Sequence, residues 1–125
     1  MIFAPVITTM MALRRICPAC KQKSPLPPAA LTKVGFSPED ARTVSVYKGA
    51  GCDVCTNTGY RGRIGLYEVM ELSDDLKELV LVGASALEIK RKAIEQGMIS
   101  LRRSGLIKVA AGMTTLEEVI RETVL

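Results

Sequence analysis

Four cysteines stand in two pairs, Cys17-Pro-Ala-Cys20 and Cys52-Asp-Val-Cys55. Two intervening residues let both thiolates of a pair turn toward one ion. Two such knuckles complete a tetrahedral sulfur set. That set suits zinc, which imposes no ligand-field geometry and accepts soft thiolates. Four thiolates around one Zn²⁺ leave a charge of about −2. Arg14, Arg15, Lys21 and Lys23 around the first pair, with Arg61 and Arg63 after the second, are placed to offset it. Four protein ligands leave no open position for water, so such a site holds structure and does no metal catalysis.

The same residues admit three other chemistries. Paired disulfides need an oxidising compartment, and the start of the sequence is not expected to export the chain. A redox dithiol needs one exposed, low-pKa cysteine at a helix start, whereas both pairs here run on into loop-like residues. An iron–sulfur cluster also takes four thiolates, but its ligands usually fall in closer runs. A closed structural zinc site on Cys17, Cys20, Cys52 and Cys55 is the reading the pattern favours. Residues 21–51 separate the knuckles, more than the roughly 15–20 of common zinc modules. A small subdomain must therefore fit between them.

Composition removes other chemistry. The chain has 125 residues, 48% hydrophobic, and no histidine. It thus lacks the usual neutral-pH proton shuttle and any Ser-His or Cys-His nucleophile pair. Gly59, Gly62 and Gly65 suggest a phosphate loop, but "GYRGRIG" lacks the G-x-x-x-x-G-K-[ST] spacing and precedes a strand where a helix is required. These glycines are expected to take tight turns around the second knuckle. Arg61 and Arg63 are expected to neutralise the thiolates or to pair with Glu68 and Glu71. Arg102 and Arg103 are expected to face a partner subunit or water. The net charge of +4 is modest, and there is no Trp and little Phe or Tyr. A nucleic-acid surface normally interleaves basic residues with stacking aromatics, so nucleic acid is not an expected partner.

The positioning elements follow from local grammar. "MIFAPVITTMMAL" is too short to span a membrane, which takes about 20 apolar residues. Its charges follow the apolar run instead of preceding it, unlike a secretory signal. It reads as a strand or helix that packs on something, in a cytoplasmic chain. "SPLPP" reads as a loop and Ser37-Pro38-Glu39-Asp40 as a helix start. The alternation in "RTVSVYK", residues 42–48, and "RIGLYEVMEL", residues 63–72, predicts strands. From residue 73 the pattern turns helical. Ser73 opens a helix that Gly83 closes, and Ser85 with Glu88 makes a capping box for one that ends at Gly97. A third helix covers about 100–111, and Thr115 with Glu118 caps a fourth. Helices this short are marginal alone and must pack on each other or on a partner.

Read together, the knuckle entry "LRRICPACK", the run "GCDVCTNTGYRGRIGLYEVMEL" and the tail "GMISLRRSGLIKVAAGMTTLEEVIRETV" resemble the C-terminal part of the type II secretion and type IV pilus assembly ATPases (general secretion pathway protein E type). The resemblance covers about residues 13–125. It implies a tetracysteine zinc module and a helical C-terminal subdomain following a RecA-like core with Walker A, acidic-box, Walker B and histidine-box motifs. In that family the full-length protein uses ATP and Mg²⁺. It assembles as a hexamer beneath the inner membrane and drives pilin or pseudopilin movement through an inner-membrane platform protein.

The expectation is therefore an α+β chain in three parts: a divergent apolar start at 1–12, a zinc module at 13–72, and a subdomain of about four helices at 73–125. Its expected role is that of a truncated, non-catalytic region of the motor ATPase, without Walker motifs. Its expected partners are the ATPase core or neighbouring subunits, at the cytoplasmic face of the inner membrane. The alternatives are a nucleic-acid-binding zinc protein and a non-functional fragment.

Overall fold

The computed structural model describes residues 6–123. The first five residues of the apolar start and the last two of the chain lie outside them. The fold is α+β, with ten elements in the order β1 (Val6–Ile16), β2 (Lys21–Lys23), α1 (Pro28–Val34), α2 (Pro38–Thr43), β3 (Tyr47–Gly49), β4 (Tyr60–Glu71), α3 (Asp74–Leu81), α4 (Ala86–Glu95), α5 (Leu101–Ala110) and α6 (Leu116–Glu122). The apolar start is a strand as far as it is described, because β1 runs unbroken from residue 6 to residue 16.

Strands β1 and β4 form a long antiparallel ribbon, with Leu13 opposite Ile64, Met10 opposite Tyr67 and a bulge between Arg14 and Ile16. Period-2 alternation directs Leu13 and Leu66 to one face, where both are fully buried. Helices α5 and α6 cover that face through Leu106, Val109, Leu116 and Val119, while Leu31, Phe36, Ala41 and Val46 close the side of the core. Gly105 sets the approach of α5 to α6: a Cβ there would meet Val119 Cγ1 at 2.6 Å. A second, three-residue ladder joins β2 to β3 antiparallel beside the knuckles.

The hydroxyl half of each expected cap forms, but among the described residues neither Glu88 nor Glu118 accepts the cap N–H in return, so the expected capping boxes do not close. Ser37, Ser73, Ser85, Ser100 and Thr115 each accept the N–H of the residue three positions on, satisfying a donor that the first helical turn leaves free. Helices α3 and α4 lean on each other, joined by Ser73 and Gln96 side chains at 2.7 Å and by Gln96 donating to Asp75 at 3.2 Å. Only Leu76 and Ala93 are buried in that pair.

Three expectations need correction. The strand expected over 42–48 is confined to Tyr47–Gly49. Arg42 and Thr43 close α2, with Thr43 Oγ1 donating back to the Glu39 carbonyl at 3.3 Å. Helix α1 begins inside the proline run read as loop, with proline in its first turn, where a missing N–H costs nothing. Arg102 faces neither partner nor water. It is 9% exposed and donates to the Val34 carbonyl at 3.1 Å, the Thr123 carbonyl at 2.9 Å and Thr123 Oγ1 at 2.7 Å. Its cation sits against the carbonyl ends of α1 and α6, where helix dipoles favour positive charge.

Candidate metal centre

The first knuckle leaves the end of β1 directly. Cys17 donates its N–H to the Gly59 carbonyl at 2.9 Å, and Cys20 turns back with its N–H 3.4 Å from the Cys17 carbonyl. The second knuckle lies in the loop from β3 to β4, where Asn57 donates to the Cys52 carbonyl at 2.8 Å. Its reversal uses Thr56 and Asn57 at φ of 58° and 60°, a left-handed turn that asparagine tolerates better than the β-branched threonine. Thr58 Oγ1 braces it, donating to the Cys55 carbonyl at 2.7 Å and accepting from the Tyr60 N–H at 3.2 Å. Where the two loops cross, Gly49 and Gly59 touch backbone to backbone. A Cβ on Gly49 would lie 2.1 Å from the Gly59 carbonyl oxygen.

All four sulfurs fall within 4.8 Å of one another. Cys17 to Cys52 and Cys20 to Cys55 measure 3.8 Å, and Cys52 to Cys55 measures 3.7 Å. An ion held at about 2.3 Å by four thiolates in a tetrahedron sets its ligands roughly 3.8 Å apart. The cysteines therefore form a cage of the right size for a single metal ion. All four are free thiols. A multi-iron cluster distributes its thiolates over several metal atoms, whereas these edges converge on one centre.

Backbone N–H groups face the sulfurs, as thiolates require. Gly51 donates to Cys20 Sγ at 3.3 Å, and Cys52 and Gly59 donate to Cys55 Sγ at 3.3 and 3.2 Å. Desolvation pushes the Cys55 thiol up, but the N–H groups of Cys52 and Gly59 and the neighbouring thiols outweigh it and bring it down to about 6. Cys20 moves the other way: burial, aided by the other three thiols and only partly opposed by the Gly51 N–H, pushes it up to about 11.

The flanking cations divide their work. Arg61 Nη1 donates to the Val54 carbonyl at 3.1 Å, across the second knuckle. Lys21 Nζ lies over the Tyr47 ring at 4.6 Å. Arg14 turns to the buried carboxylate of Glu118, its Nη2 at 2.7 Å and its backbone N–H at 3.0 Å from the two oxygens. Glu68 accepts the Leu101 N–H at 2.8 Å and so caps α5. Among the described residues neither Arg61 nor Arg63 forms an ion pair with Glu68 or Glu71. Of the three glycines, Gly59 and Gly62 take positive φ, but Gly65 is regular strand with Tyr67 over it.

Sequence reasoning found the four cysteines and missed what ties them to the helices. Glu118 was visible only as part of a capping box. Its carboxylate instead receives Arg14 Nε at 3.0 Å and pairs with Arg121. Desolvation pushes that carboxyl up, and the Arg14 hydrogen bonds and both arginine charges overcome it, holding it below the usual carboxylate range. Ile16 donates to the Met113 carbonyl at 3.0 Å, and Thr114 Oγ1 donates to the Arg14 carbonyl at 2.8 Å. The entry to the first knuckle is therefore clamped to the turn between α5 and α6.

The model of the type II/IV secretion system protein family matches residues 2–121. The chain belongs to that family. The match begins at residue 2 and so takes in nearly all of the apolar start ahead of the first knuckle. The type IV pilus assembly ATPase PilB of Myxococcus xanthus is 48% identical over 94% of this chain, which covers 21% of that protein. The namesake from Thermus thermophilus is 37% identical over 94% of the chain and 13% of its own length. The type II secretion system protein E of Aeromonas hydrophila is 35% identical over 89% of the chain and 22% of its own length. The chain thus spans about a fifth or less of these curated relatives. It contains no G-x-x-x-x-G-K-[ST] loop, so these residues of the secretion family protein do not carry an ATPase core. Among the described residues no helix is long and apolar enough to cross a membrane.

Proposed function

We propose that this chain is a non-catalytic, zinc-stapled region of a type II secretion or type IV pilus assembly motor ATPase. Its knuckles hold one structural Zn²⁺ on Cys17, Cys20, Cys52 and Cys55, and its helices form a contact surface for the rest of the motor. The observation that carries this reading is the cage of four free thiols with 3.7 and 3.8 Å edges, set in a chain of the secretion family. Zinc fits because the set is all sulfur, tetrahedral in size and closed, with backbone N–H groups on the sulfurs. When bound, the ion would join the β1 end to the β3–β4 loop. Arg14, Glu118 and Thr114 would then pass that rigidity to α5 and α6.

The motor's ATPase core or neighbouring subunits are the partners this reading assigns. An inner-membrane platform protein lies further along the assembly, and the cytoplasmic face of the membrane is the place of work. The domain division at residues 12 and 72 serves this reading as a description of its parts. Against a nucleic-acid role, Tyr60 and Tyr47 are already covered by Arg14 at 4.2 Å and Lys21 at 4.6 Å, which removes them as stacking platforms. Metal analysis of purified chain should find one zinc per chain, Cys52→Ser should abolish it, and ATP turnover should stay at background. Magnesium-dependent turnover, or a folded chain without metal, would refute the reading.

A further inference from the structure

The four sulfurs of the cage are not equivalent. Cys17 and Cys55 are buried, whereas Cys20 and Cys52 are only half-buried. Backbone donors divide the set a second time. Cys55 Sγ accepts the N–H groups of Cys52 and Gly59 at 3.3 and 3.2 Å, and Cys20 Sγ accepts that of Gly51 at 3.3 Å. Among the described residues no N–H donates to Cys52 Sγ, whose neighbours are the sulfurs of Cys55 at 3.7 Å and Cys17 at 3.8 Å. Cys52 is therefore the one sulfur of the cage that is both open to solvent and without an N–H donor. Its loop is open too, since Asp53 and Val54 after it are exposed.

We propose that Cys52 is the oxidation site of the cage, attacked first by an oxidant of the peroxide class and then closed onto Cys55 as a disulfide. The inference rests on reading the four cysteines as one ion-holding cage, and it concerns how that cage opens. Two physical arguments select Cys52. Cysteine oxidation follows thiolate character and exposure, which sets Cys17 and Cys55 aside. A hydrogen bond to a charged sulfur is strong and ties up the electron density that an attack needs, which places Cys20 behind Cys52. The step balances on the residues named. The Cys52 thiolate attacks one peroxide oxygen, so that an S–O bond forms, the O–O bond breaks and hydroxide leaves. Cys55, 3.7 Å away in the same knuckle, then attacks the Cys52 sulfur as a thiolate. The S–S bond forms, the S–O bond breaks and a second hydroxide leaves. Two thiolates have given two electrons, and the peroxide has become two hydroxides. The second knuckle then offers no thiolate, so no ion bridges the β1 end and the β3–β4 loop. Peroxide is small enough to reach a half-buried sulfur, so this reactivity agrees with thiols that resist a bulky titrating reagent while the metal is bound.

The test uses the chain as purified, with its metal content measured first. Hydrogen peroxide is added over a short time course, with and without dimedone, which traps sulfenic acids. The chain is then unfolded, its remaining thiols are alkylated, and its peptides are mapped by mass spectrometry. Early dimedone adducts should fall on Cys52 several-fold more often than on any other cysteine. Without dimedone the first disulfide should join Cys52 to Cys55, and released zinc should rise in step with it. First adducts on Cys20, equal adducts on all four cysteines, or a first disulfide between Cys17 and Cys20 would overturn the inference. So would a cage that stays fully reduced under excess peroxide. A chain purified without zinc whose adducts still fall on Cys52 would sink the zinc reading and leave this one standing. One zinc per chain with first adducts elsewhere would do the reverse.

Discussion

The knuckle end of the molecule and the α3–α4 end solve the same problem in opposite ways. Around the knuckles, Leu13, Leu66, Leu106, Val109 and Val119 are almost completely buried. Polar groups there are answered in place: Glu118 by Arg14 and Arg121, Arg102 by helix carbonyls. At the other end α3 and α4 bury Leu76 and Ala93, while Leu81 and Val82 stand 85 and 74% exposed. The difference teaches that apolar content alone does not make a core. One end is closed by a cage of four thiols and long-range hydrogen bonds, and the other presents apolar surface to whatever packs on it.

The contrast breaks most severely if the cage is opened. Cys52→Ser should release the metal and remove a contribution that reaches about 10 kcal/mol in small zinc peptides. Hydrogen exchange should then rise first at Cys17, Gly51 and Gly59 and leave the α3–α4 pair nearly as it was. Uniform acceleration across both ends would show that they are one cooperative unit.

Glu118→Gln should come next, at about 2–4 kcal/mol in denaturant unfolding, because it strips the negative partner from a buried site that two arginines face. The same carboxylate gives a pH signature. Its pKa is held below the usual range, so its stabilisation is fully present above about pH 4.3. It is lost as the pH falls through the lower folded value. The Glu118→Gln chain should lack that share of the acid slope, and an unchanged slope would place the acid sensitivity elsewhere.

Gly105→Ala should follow, costing roughly 1–3 kcal/mol by overpacking against Val119. Smallest is Leu81→Ser, expected within about 0.5 kcal/mol because the side chain is exposed. A large loss there would mean that α3–α4 carries more of the stability than its burial allows.

What could be read in advance follows the range of the interactions. The caps at Ser37, Ser73, Ser85 and Thr115 are local, a side chain meeting an N–H three residues on, and each was legible, whereas the Ser100 cap was not singled out. So was the pairing of cysteines by spacing. Helix α1 was hidden because prolines that start a helix look like prolines that make a loop. The alternation of residues 42–48 lost to the last turn of α2. Arg102 and Glu118 were unreadable in their main roles for another reason: their partners, Val34 and Thr123 for one and Arg14 for the other, lie far away in sequence. Nothing local announces such pairs.

Two distant Cys-x-x-Cys knuckles are proposed to close on one ion and thereby hold the strands to the helices. Metal content with parallel thiol titration on the intact chain tests it most directly. One zinc per chain is expected, with all four cysteines unreactive until the chain is unfolded or the metal chelated. A folded chain with no metal and four freely reactive thiols would contradict it.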